Sequence, residues 1–327
     1  MSETTPNVLE VHHLSSAFER GGSLLTAVDD VSFSVPRGKC VGIVGESGCG
    51  KSVTAMSLVR LLPQPAGRIT AGRVLFNGED VLQMPAHRLH QVRGGGIGVI
   101  FQEPMKALNP VHTIGAQIAE TLMLHRNLNA DDAWRESVRL LERVCIPAAG
   151  QRAWEYPGSL SGGMRQRVVI AMAIACQPDL VIADEPTTAL DVTVQEQVLS
   201  LLRRLRQEDG TSTLLITHDL GVVAQNCDRV LVMYAGRVVE SADAEELFTH
   251  PVHAYTRALL ASMPRAEYAR KSHLPAIPGS VASLAEHVHG CRFCQRMGVD
   301  PATLTERPPM REISPGHWVQ ACPRCME

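Results

Sequence analysis

The chain has 327 residues, of which 45% are hydrophobic and 20% are charged, and its formal net charge is −3. A chain of this length can hold one large α/β domain with an extension, or two modest domains. The nearly balanced charge gives no global attraction to nucleic acid, and basic clusters such as Arg203–Arg206 fit a solvated helix face better than a phosphate track. No nucleic-acid partner is therefore expected.

The N-terminus and the apolar stretches favour a protein that works in the cytosol. Residues 1–7 are polar and lack the basic and apolar regions of a signal peptide. The most apolar stretch, Val168–Ile182, is interrupted by Gln177–Asp179 and is too short to span a bilayer. We therefore expect a chain without a membrane span of its own.

Residues Gly45–Ser52 match the phosphate-loop pattern G-x-x-x-x-G-K-[ST] at every fixed position. Cys40–Val44 predicts a buried strand before the loop, and Val53–Leu62 predicts a helix after it. Glycines let backbone N–H groups turn toward phosphates, the lysine neutralises oxygens, and the serine hydroxyl can hold Mg²⁺. The predicted nucleotide-binding residues of this loop are Gly45, Glu46, Ser47, Gly48, Cys49, Gly50, Lys51 and Ser52. Alkylation of the cysteine in this loop is expected to block nucleotide binding.

Two further predicted strands end in polar residues suited to phosphate chemistry. Leu180–Ala183 is followed by Asp184 and Glu185, and Thr213–Thr217 is followed by His218. Because ligands bind outside the carboxyl ends of strands in open parallel sheets, these residues are expected at one edge with the phosphate loop. Asp184 is predicted to bind Mg²⁺, Glu185 to polarise the attacking water, and His218 to hold that water and the γ-phosphate in line.

Another candidate anion site lies at the start of a predicted helix that runs to Cys176. Ser161 is a typical helix N-cap, and Gly162 and Gly163 leave the first backbone N–H groups uncovered. A plain helix cap is the alternative interpretation of this segment when it is considered by itself.

Taken in order, these motifs resemble those of ABC-transporter ATPases over roughly the first 250 residues. Leu160–Gln166 resembles their LSGGQ signature, with Met164 in place of the usual residue. The resemblance implies that Gln102 belongs to a Q-loop that senses Mg²⁺ and the membrane partner, and that Ala189–Asp191 forms the D-loop. It also implies that Phe18 stacks on adenine, with Phe33 as a competing candidate. The implied set is therefore catalytic Glu185, His218 and Gln102, Mg²⁺ ligands Ser52, Gln102 and Asp184, and D-loop Asp191.

Several segments narrow the resemblance to the dipeptide, oligopeptide and nickel importer branch: Asn109–Pro110, Ala183–Thr193, Met233–Gly236 and His250–Thr256. That branch implies a second homologous ATPase subunit in a heterodimer, two transmembrane permease subunits and an extracytoplasmic substrate-binding protein. The location implied is the cytoplasmic face of the bacterial inner (plasma) membrane. Each ATP is implied to lie between the phosphate loop of one subunit and the signature of the other, here Ser161, Gly162, Gly163 and Gln166. The isolated chain is then expected to hydrolyse ATP poorly.

The fold implied is an α/β ABC-type nucleotide-binding domain with a phosphate-loop parallel-sheet core, an antiparallel β subdomain and an α-helical subdomain. The expected boundaries are 8–249 for this domain, with the helical subdomain at about 103–176, and 250–327 for a C-terminal extension that contains cysteines. Within the first part, Gly72–Gly78 predicts a strand that leads into an Asn-Gly hairpin turn.

The extension contains two CxxC pairs, formed by Cys291, Cys294, Cys322 and Cys325. In a cytosolic protein such pairs favour a metal site over disulfides, and four-thiolate Zn²⁺ is the generic interpretation. Several members of the resembling branch bind a [4Fe–4S] cluster through a C-terminal cysteine motif, which favours that cluster over zinc here. The family places its middle cysteines at Met297 and approximately at Thr303, so Cys294 and Cys325 would replace them as ligands. A metal-free extension is the third alternative.

The predicted function is an ATP-hydrolysing, Mg²⁺-dependent motor subunit of a membrane importer for dipeptides or oligopeptides. An importer of a nickel chelate or a metallophore with the same motor is an alternative. A soluble ABC ATPase of DNA repair or translation is disfavoured, because the chain has neither a long inserted coiled coil nor a second cassette. Cysteine changes in the extension are expected to loosen it and to affect complex assembly more than nucleotide binding.

Overall fold

The computed structural model describes residues 6–188, 190–263 and 275–326. In these ranges the strands are β1 (Asn7–Arg20), β2 (Ser23–Pro36), β3 (Cys40–Val44), β4 (Gly67–Phe76), β5 (Glu79–Asp80), β6 (Ile97–Ile100), β7 (Leu180–Asp184), β8 (Ser212–Thr217), β9 (Arg229–Tyr234), β10 (Arg237–Asp243), β11 (Met310–Ser314) and β12 (His317–Gln320).

The helices of the same ranges are α1 (Lys51–Leu58), α2 (Ala86–Gln91), α3 (Pro104–Ala107), α4 (Ile114–Arg126), α5 (Ala130–Arg143), α6 (Ala149–Arg152), α7 (Gly162–Ile174), α8 (Val192–Asp209), α9 (Leu220–Asn226), α10 (Ala244–Thr249), α11 (Ala254–Ala261), α12 (Arg292–Arg296) and α13 (Pro323–Met326). In this part of the chain no helix is long and apolar enough to cross a bilayer.

The chain divides into two compact units, each made of segments that are separate in sequence. The first unit contains residues 1–9, 34–40 and 75–216, and the second contains 10–33, 41–74 and 217–327. The boundaries predicted from the sequence, 8–249 and 250–327, divide the chain at a single point and stay a prediction.

In the first unit, β6, β7 and β8 form a parallel run in the order β8-β7-β6. Every residue of β7 is buried, as expected for a short apolar strand that is covered on both faces. Between β6 and β7 the chain forms α3 to α7, so the region predicted to be helical is helical. The Asn77-Gly78 turn joins β4 to β5, with φ of 49° and 84° and with Phe76 paired to Glu79, which confirms the predicted hairpin.

In the second unit, β3 pairs with β9 in parallel, and β10 pairs antiparallel with both β9 and β12. The predicted helix after the phosphate loop is present but ends at Leu58, four residues before the predicted end at Leu62. It ends there because Arg60 adopts a left-handed φ of 54° and the N–H of Leu61 turns back to the carbonyl of Met56 at 2.8 Å.

An aromatic cluster in the core of the second unit holds its last segment, which we call the C-terminal segment (residues 275–326). The ring of Phe293 lies 5.5 Å from the rings of both Tyr234 and Tyr255, measured between centroids. The C-terminal cysteines belong to the same buried cluster. The segment is therefore part of this unit's core and is not an appended surface loop.

A partly buried charge cluster also ties the C-terminal segment to β2. The carboxylate of Asp29 accepts hydrogen bonds from Arg237 at 2.9 Å, Arg292 at 2.6 Å and Arg307 at 3.1 Å. Burial raises the pKa of Asp29, but the three guanidinium groups outweigh it and bring the pKa below its ordinary value.

Candidate functional site

The phosphate loop of the second unit connects the end of β3 to the start of α1, as the sequence predicts. Two of its glycines are required by close backbone contacts. A Cβ atom on Gly45 would lie 2.2 Å from the carbonyl oxygen of Met233, and one on Gly50, whose φ is 104°, would lie 2.7 Å from that of Ala27. Any other residue at these positions would push the loop away from its neighbours.

Lys51 is held inside this loop, with 4% of its surface exposed. Its Nζ donates hydrogen bonds to the carbonyl oxygens of Gly45 at 2.8 Å and Glu46 at 3.0 Å. The positive charge is therefore already placed within the loop, at the start of a helix whose dipole also favours an anion.

Glu46 is anchored through both its backbone and its side chain. Its N–H donates to the hydroxyl of Tyr255 at 3.0 Å, and its carboxylate accepts from Arg296 at 2.5 and 3.2 Å. Arg296 is 4% exposed and also donates to the carbonyl oxygens of Ile277 and Gly279. This contact between the phosphate loop and the C-terminal segment has no counterpart in the sequence motifs.

The cysteine of the loop is buried. Cys49 is 1% exposed, and burial raises the pKa of its thiol although Lys51 acts in the opposite direction. A buried neutral thiol reacts slowly, and the prediction that alkylation of Cys49 blocks nucleotide binding stays a prediction. Ser47 and Gly48 are exposed, and Ser52 lies half-buried in the first turn of α1.

The other predicted site residues of the second unit lie beside well-defined elements. His218 directly follows β8 and is exposed, and the next residue, Asp219, caps α9 by accepting from two backbone N–H groups at 2.8 and 3.2 Å. Phe18 and Phe33 are both half-buried, so the choice of adenine-stacking residue stays open.

In the first unit the structure brings together Glu185 and Gln102, two residues predicted to be catalytic. The Gln102 amide donates to Oε2 of Glu185 at 2.9 Å, and the hydroxyl of Thr188 donates to the same oxygen at 2.8 Å. Glu185 adopts a left-handed φ of 46°, which is uncommon for this residue type and typical of functional positions. Asp184, the last residue of β7, is 8% exposed.

The signature segment also belongs to the first unit and begins α7. The hydroxyl of Ser161 accepts from the N–H of Met164 at 3.4 Å, which confirms the predicted cap. A Cβ atom on Gly163 would lie 2.6 Å from Cγ1 of Val194, in the first turn of α8. Ser161 and Gly162 are exposed, whereas Gln166 is 1% exposed and its Nε2 has no hydrogen-bond partner among the described residues, so its contact with a second subunit's nucleotide stays a prediction.

The predicted D-loop precedes α8. Its Asp191 is the N-cap of that helix and accepts from the N–H of Val194 at 3.0 Å. Ala189 lies outside the described residues. Asp191 therefore directly precedes the first turn of α8, and that turn packs against Gly163 of the signature.

The C-terminal cysteines form one compact group, which we call the four-cysteine site (Cys291, Cys294, Cys322 and Cys325). All four are buried, and their sulfur atoms lie within 4.8 Å of one another. Three of the separations are 3.5 Å for Cys294–Cys322, 3.6 Å for Cys294–Cys325 and 3.7 Å for Cys291–Cys325. Four converging thiol groups of this kind are a donor set for a thiolate-binding metal.

The sulfur spacing distinguishes between the two metal centres that the sequence suggested. Four thiolates at about 2.3 Å from one tetrahedral ion lie about 3.8 Å apart, close to the separations observed. A [4Fe–4S] cluster places eight atoms between the thiolates and binds each of them to a different iron. Sulfur atoms in van der Waals contact leave no room for such a cluster, so the residues fit a single ion and do not fit the cluster.

The predicted residues therefore lie in two groups. The phosphate loop, His218 and the four-cysteine site belong to the second unit, and Gln102, Glu185 and the signature belong to the first. Sequence reasoning missed the roles of Thr188, Tyr255 and Arg296 as partners of these residues. The last of these is 250 residues away from the carboxylate that it binds, so no local pattern could reveal it.

A phosphate loop between a buried strand and a helix, in a chain whose parallel strand ends in adjacent carboxylates, defines the class of phosphate-loop nucleotide-binding proteins. Two family models then match the chain: "ABC transporter" over residues 28–188 and "Oligopeptide/dipeptide transporter, C-terminal region" over residues 239–297. The chain belongs to the ABC-transporter ATP-binding subunits of the dipeptide, oligopeptide and nickel importer family.

Relatives of known name match along nearly the whole chain. A probable peptide ABC transporter ATP-binding protein of Sinorhizobium fredii is 48% identical, over 98% of this chain and 96% of its own length. The oligopeptide transport ATP-binding protein OppD of Escherichia coli is 47% identical, over 96% of this chain and 92% of its own length.

Solved structures of ATP-binding cassettes share the fold. A dimeric post-hydrolysis state of the cassette MJ0796, bound to ADP and phosphate, covers 72% of this chain and 98% of its own, with a TM-score of 0.65 and 26% identity. The protein cbiO1 of Clostridium perfringens covers 75% and 91%, with a TM-score of 0.63 and 25% identity. The predicted fold class is thereby confirmed.

Proposed function

We propose that this chain is the ATP-hydrolysing motor subunit of a peptide importer. The observation that carries the proposal is the near-complete match to peptide-import ATP-binding proteins, together with the matched C-terminal region of that family. Both relatives are named for peptides, which favours peptides over nickel chelates and metallophores as the cargo.

In the proposed reaction, water attacks the γ-phosphorus of ATP and ADP leaves. Lys51 would neutralise phosphate oxygens, and Ser52, Asp184 and Gln102 would hold Mg²⁺, which would supply positive charge against the charge that develops on the phosphoryl group. Glu185 accepts the proton of the attacking water. The hydrogen bonds from Gln102 and Thr188 orient its carboxylate.

We assign His218 to hold the water and the γ-phosphate in line, and Ser161, Gly162 and Gly163 to bind the nucleotide of a second subunit. The exposure of Ser161 and Gly162 at the start of α7 supports this assignment, because uncovered N–H groups at a helix N-terminus bind anions. Asp191, which caps α8 beside them, would respond to the same contact. The second subunit is proposed to be a homologous ATPase, in a heterodimer.

The remaining partners follow from the importer assignment. We propose two transmembrane permease subunits, fed by an extracytoplasmic substrate-binding protein, with this chain at the cytoplasmic face of the bacterial plasma membrane. Large apolar side chains are exposed in the helical region of the first unit, which supports docking to a partner: Met105, Val111, Leu124, Trp154 and Tyr156.

The four-cysteine site stands apart from the proposed ATP hydrolysis. An iron–sulfur cluster is what the family resemblance implies, but the sulfur spacing does not fit it, and no step of the proposed reaction passes through this site.

The decisive experiment measures peptide uptake by the assembled complex in vesicles, with ATP supplied on the side of this chain. Uptake is expected in the presence of ATP and Mg²⁺. It should stop in the Glu185→Gln variant, which should bind ATP but hydrolyse it about 100-fold or more slowly. The matched control is Glu196→Gln, the same change at an exposed position on α8. ATP-independent uptake, or normal turnover in Glu185→Gln, would reject the proposed motor or its proposed base.

A further inference from the structure

We propose that the four-cysteine site binds one Zn²⁺ ion, and that this ion, by holding α12, keeps the phosphate loop in the shape that binds nucleotide. This inference rests on the proposed nucleotide binding at that loop. It adds a structural ion and a route by which the ion acts on ATP affinity. Every residue in the argument belongs to the second unit.

The first step is the number and kind of ion. Sulfur separations of 3.5 to 3.7 Å match one ion at the centre of a tetrahedron of thiolates. Zn²⁺ accepts tetrahedral coordination, and in a structural zinc site protein ligands occupy all four positions. The complete burial of the four cysteines fits a closed site with no position for an exchangeable ligand.

The second step is the charge around the site. Four thiolates and one Zn²⁺ carry a net charge of −2, which is costly in a buried site without nearby positive groups. Arg237 is 3% exposed and donates to the carbonyl oxygens of His289 and Gly290, directly before the first cysteine. Arg292, the residue after that cysteine, is 8% exposed. Both arginines also donate to Asp29, so the two guanidinium groups and this carboxylate leave one net positive charge beside the site.

The third step is the connection to the phosphate loop through α12. Cys291 is the N-cap of this helix and Cys294 lies inside it, so two of the four ligands hold its first turn. Its last residue, Arg296, binds the carboxylate of Glu46 in the phosphate loop through two hydrogen bonds. A helix of five residues does not persist alone, so its position depends on its tertiary contacts, of which the two metal ligands are one set and the packing of Phe293 is another.

The fourth step is the effect on nucleotide binding. Arg296 neutralises Glu46, which otherwise places a negative charge in the loop that receives the phosphates. Like charges at this range repel, so release of Arg296 should weaken ATP binding. Phe293, also in α12, packs against Tyr255, whose hydroxyl accepts from the N–H of Glu46. Loss of the ion would therefore disturb both anchors of the same loop residue.

The test uses the full-length chain, elemental analysis, absorption spectra and calorimetric titration with ATP and Mg²⁺. Protein purified without oxygen should be colourless and hold one zinc per chain. After zinc is removed with a thiol-competing chelator, the Kd for ATP should rise about tenfold, which is the effect of losing one charged hydrogen-bonded contact. Readdition of zinc should restore the original Kd.

Variants separate the ion from the arginine. Cys325→Ser should lose zinc, whereas Arg296→Ala should keep zinc and still raise the Kd about tenfold. The matched control, Arg324→Ala, removes an exposed arginine between two of the cysteines and should change neither quantity. If charge on Glu46 is the cause, Glu46→Gln should reduce the effect of zinc removal, as a double-mutant cycle would show.

Each other outcome overturns the inference in a specific way. Brown protein with broad absorption and several irons per chain, or coloured protein with a single iron, would show that the site binds iron and not zinc. Protein without metal would show that the four cysteines are not a metal site. An unchanged Kd in zinc-free protein and in Arg296→Ala would remove the coupling to the loop. Failure of the zinc-loaded parent chain to bind ATP would instead reject the proposed function. Arg296→Ala keeps the coupling testable if the cysteine variant does not fold.

Discussion

The ammonium group of Lys51 illustrates how much of the site depends on single residues. It is buried in the phosphate loop and donates to two carbonyl oxygens of that loop. Lys51→Ala should weaken ATP binding by the isolated chain about 10- to 100-fold, since a charge-assisted contact is lost. Calorimetric titration measures this, with Lys106→Ala, an exposed lysine on α3, as the control. Equal affinity in both variants would contradict the role of Lys51.

Cys49 should resist thiol reagents at neutral pH, because burial excludes the reagent and raises the pKa of the thiol. The thiolate fraction grows as pH approaches that raised pKa, so labelling should accelerate with rising pH. Mass spectrometry after timed iodoacetamide treatment would compare it with the exposed Cys145. Cys49 labelled as fast as Cys145 at neutral pH would show that the loop opens readily.

At this scale the sequence predicted residue types well and partners poorly. Lys51 and Ser161 follow from local patterns, and the structure places them in the predicted loop and cap. The bond between Glu46 and Arg296 joins positions 250 residues apart, and the burial of Gln166 depends on how α7 packs. Neither is visible in a short pattern, because both result from tertiary structure.

At the level of elements, the contact between α7 and α8 depends on the small size of Gly163. A Cβ at this position would lie 2.6 Å from Val194, so Gly163→Ala should lower the free energy of unfolding by about 1–3 kcal/mol. Gly163→Ala with Val194→Ala should recover part of this loss, and chemical denaturation measures both.

Gly162→Ala is the matched control for that experiment. A Cβ there would meet Leu190 at 3.7 Å, which is ordinary van der Waals contact. A loss at Gly162 as large as that at Gly163 would point to backbone or propensity effects and would contradict the packing argument.

Asp29 joins β2 to the C-terminal segment, and its contribution should depend on pH. Its pKa is lowered in the folded protein, so its stabilisation is present above the unfolded carboxyl pKa of about 4 and is lost as pH falls through the lower folded value. Asp29→Asn should therefore lower the Tm at neutral pH, and the difference from the parent chain should shrink in acid. A difference that is constant with pH would exclude this ionic origin.

The elements themselves were predictable where an apolar run or a cap marked them. β3, β7 and α7 agree with the predicted segments to within two residues at each end, whereas α1 ends four residues sooner than predicted. β11 is mostly exposed, so it lacks the apolar alternation by which a strand is recognised. Its position comes from pairing with β12.

For the molecule as a whole, the family assignment predicts that the signature acts on a nucleotide held by another subunit. Ser161→Arg should leave ATP affinity of the isolated chain nearly unchanged and abolish hydrolysis at the partner's site in the assembled complex. Titration of the isolated chain and ATPase measurements of the complex test this pair of effects. A large loss of affinity in the isolated chain would mean that the signature acts within its own subunit.

The architecture was predictable because the motifs follow one another in a characteristic order, and the comparisons confirm the fold and the family. The division into two discontinuous units was not, since a sequence is linear and Asp29 contacts Arg307 across 278 residues. For the same reason, the expectation that cysteine changes in the extension affect complex assembly more than nucleotide binding did not include the bond between Glu46 and Arg296.

The bond between Asp29 and Arg292 also has a consequence for biosynthesis. The two residues are 263 positions apart, so at 5–20 residues per second the first waits roughly 10–50 s on the ribosome for the second. The first unit is complete in sequence at residue 216, but the second includes residues up to 327. The nascent chain therefore carries a phosphate loop that lacks its final support until residues 291–296 have been synthesised, and ribosome-bound intermediates that end before them should depend on chaperones more than the released protein does.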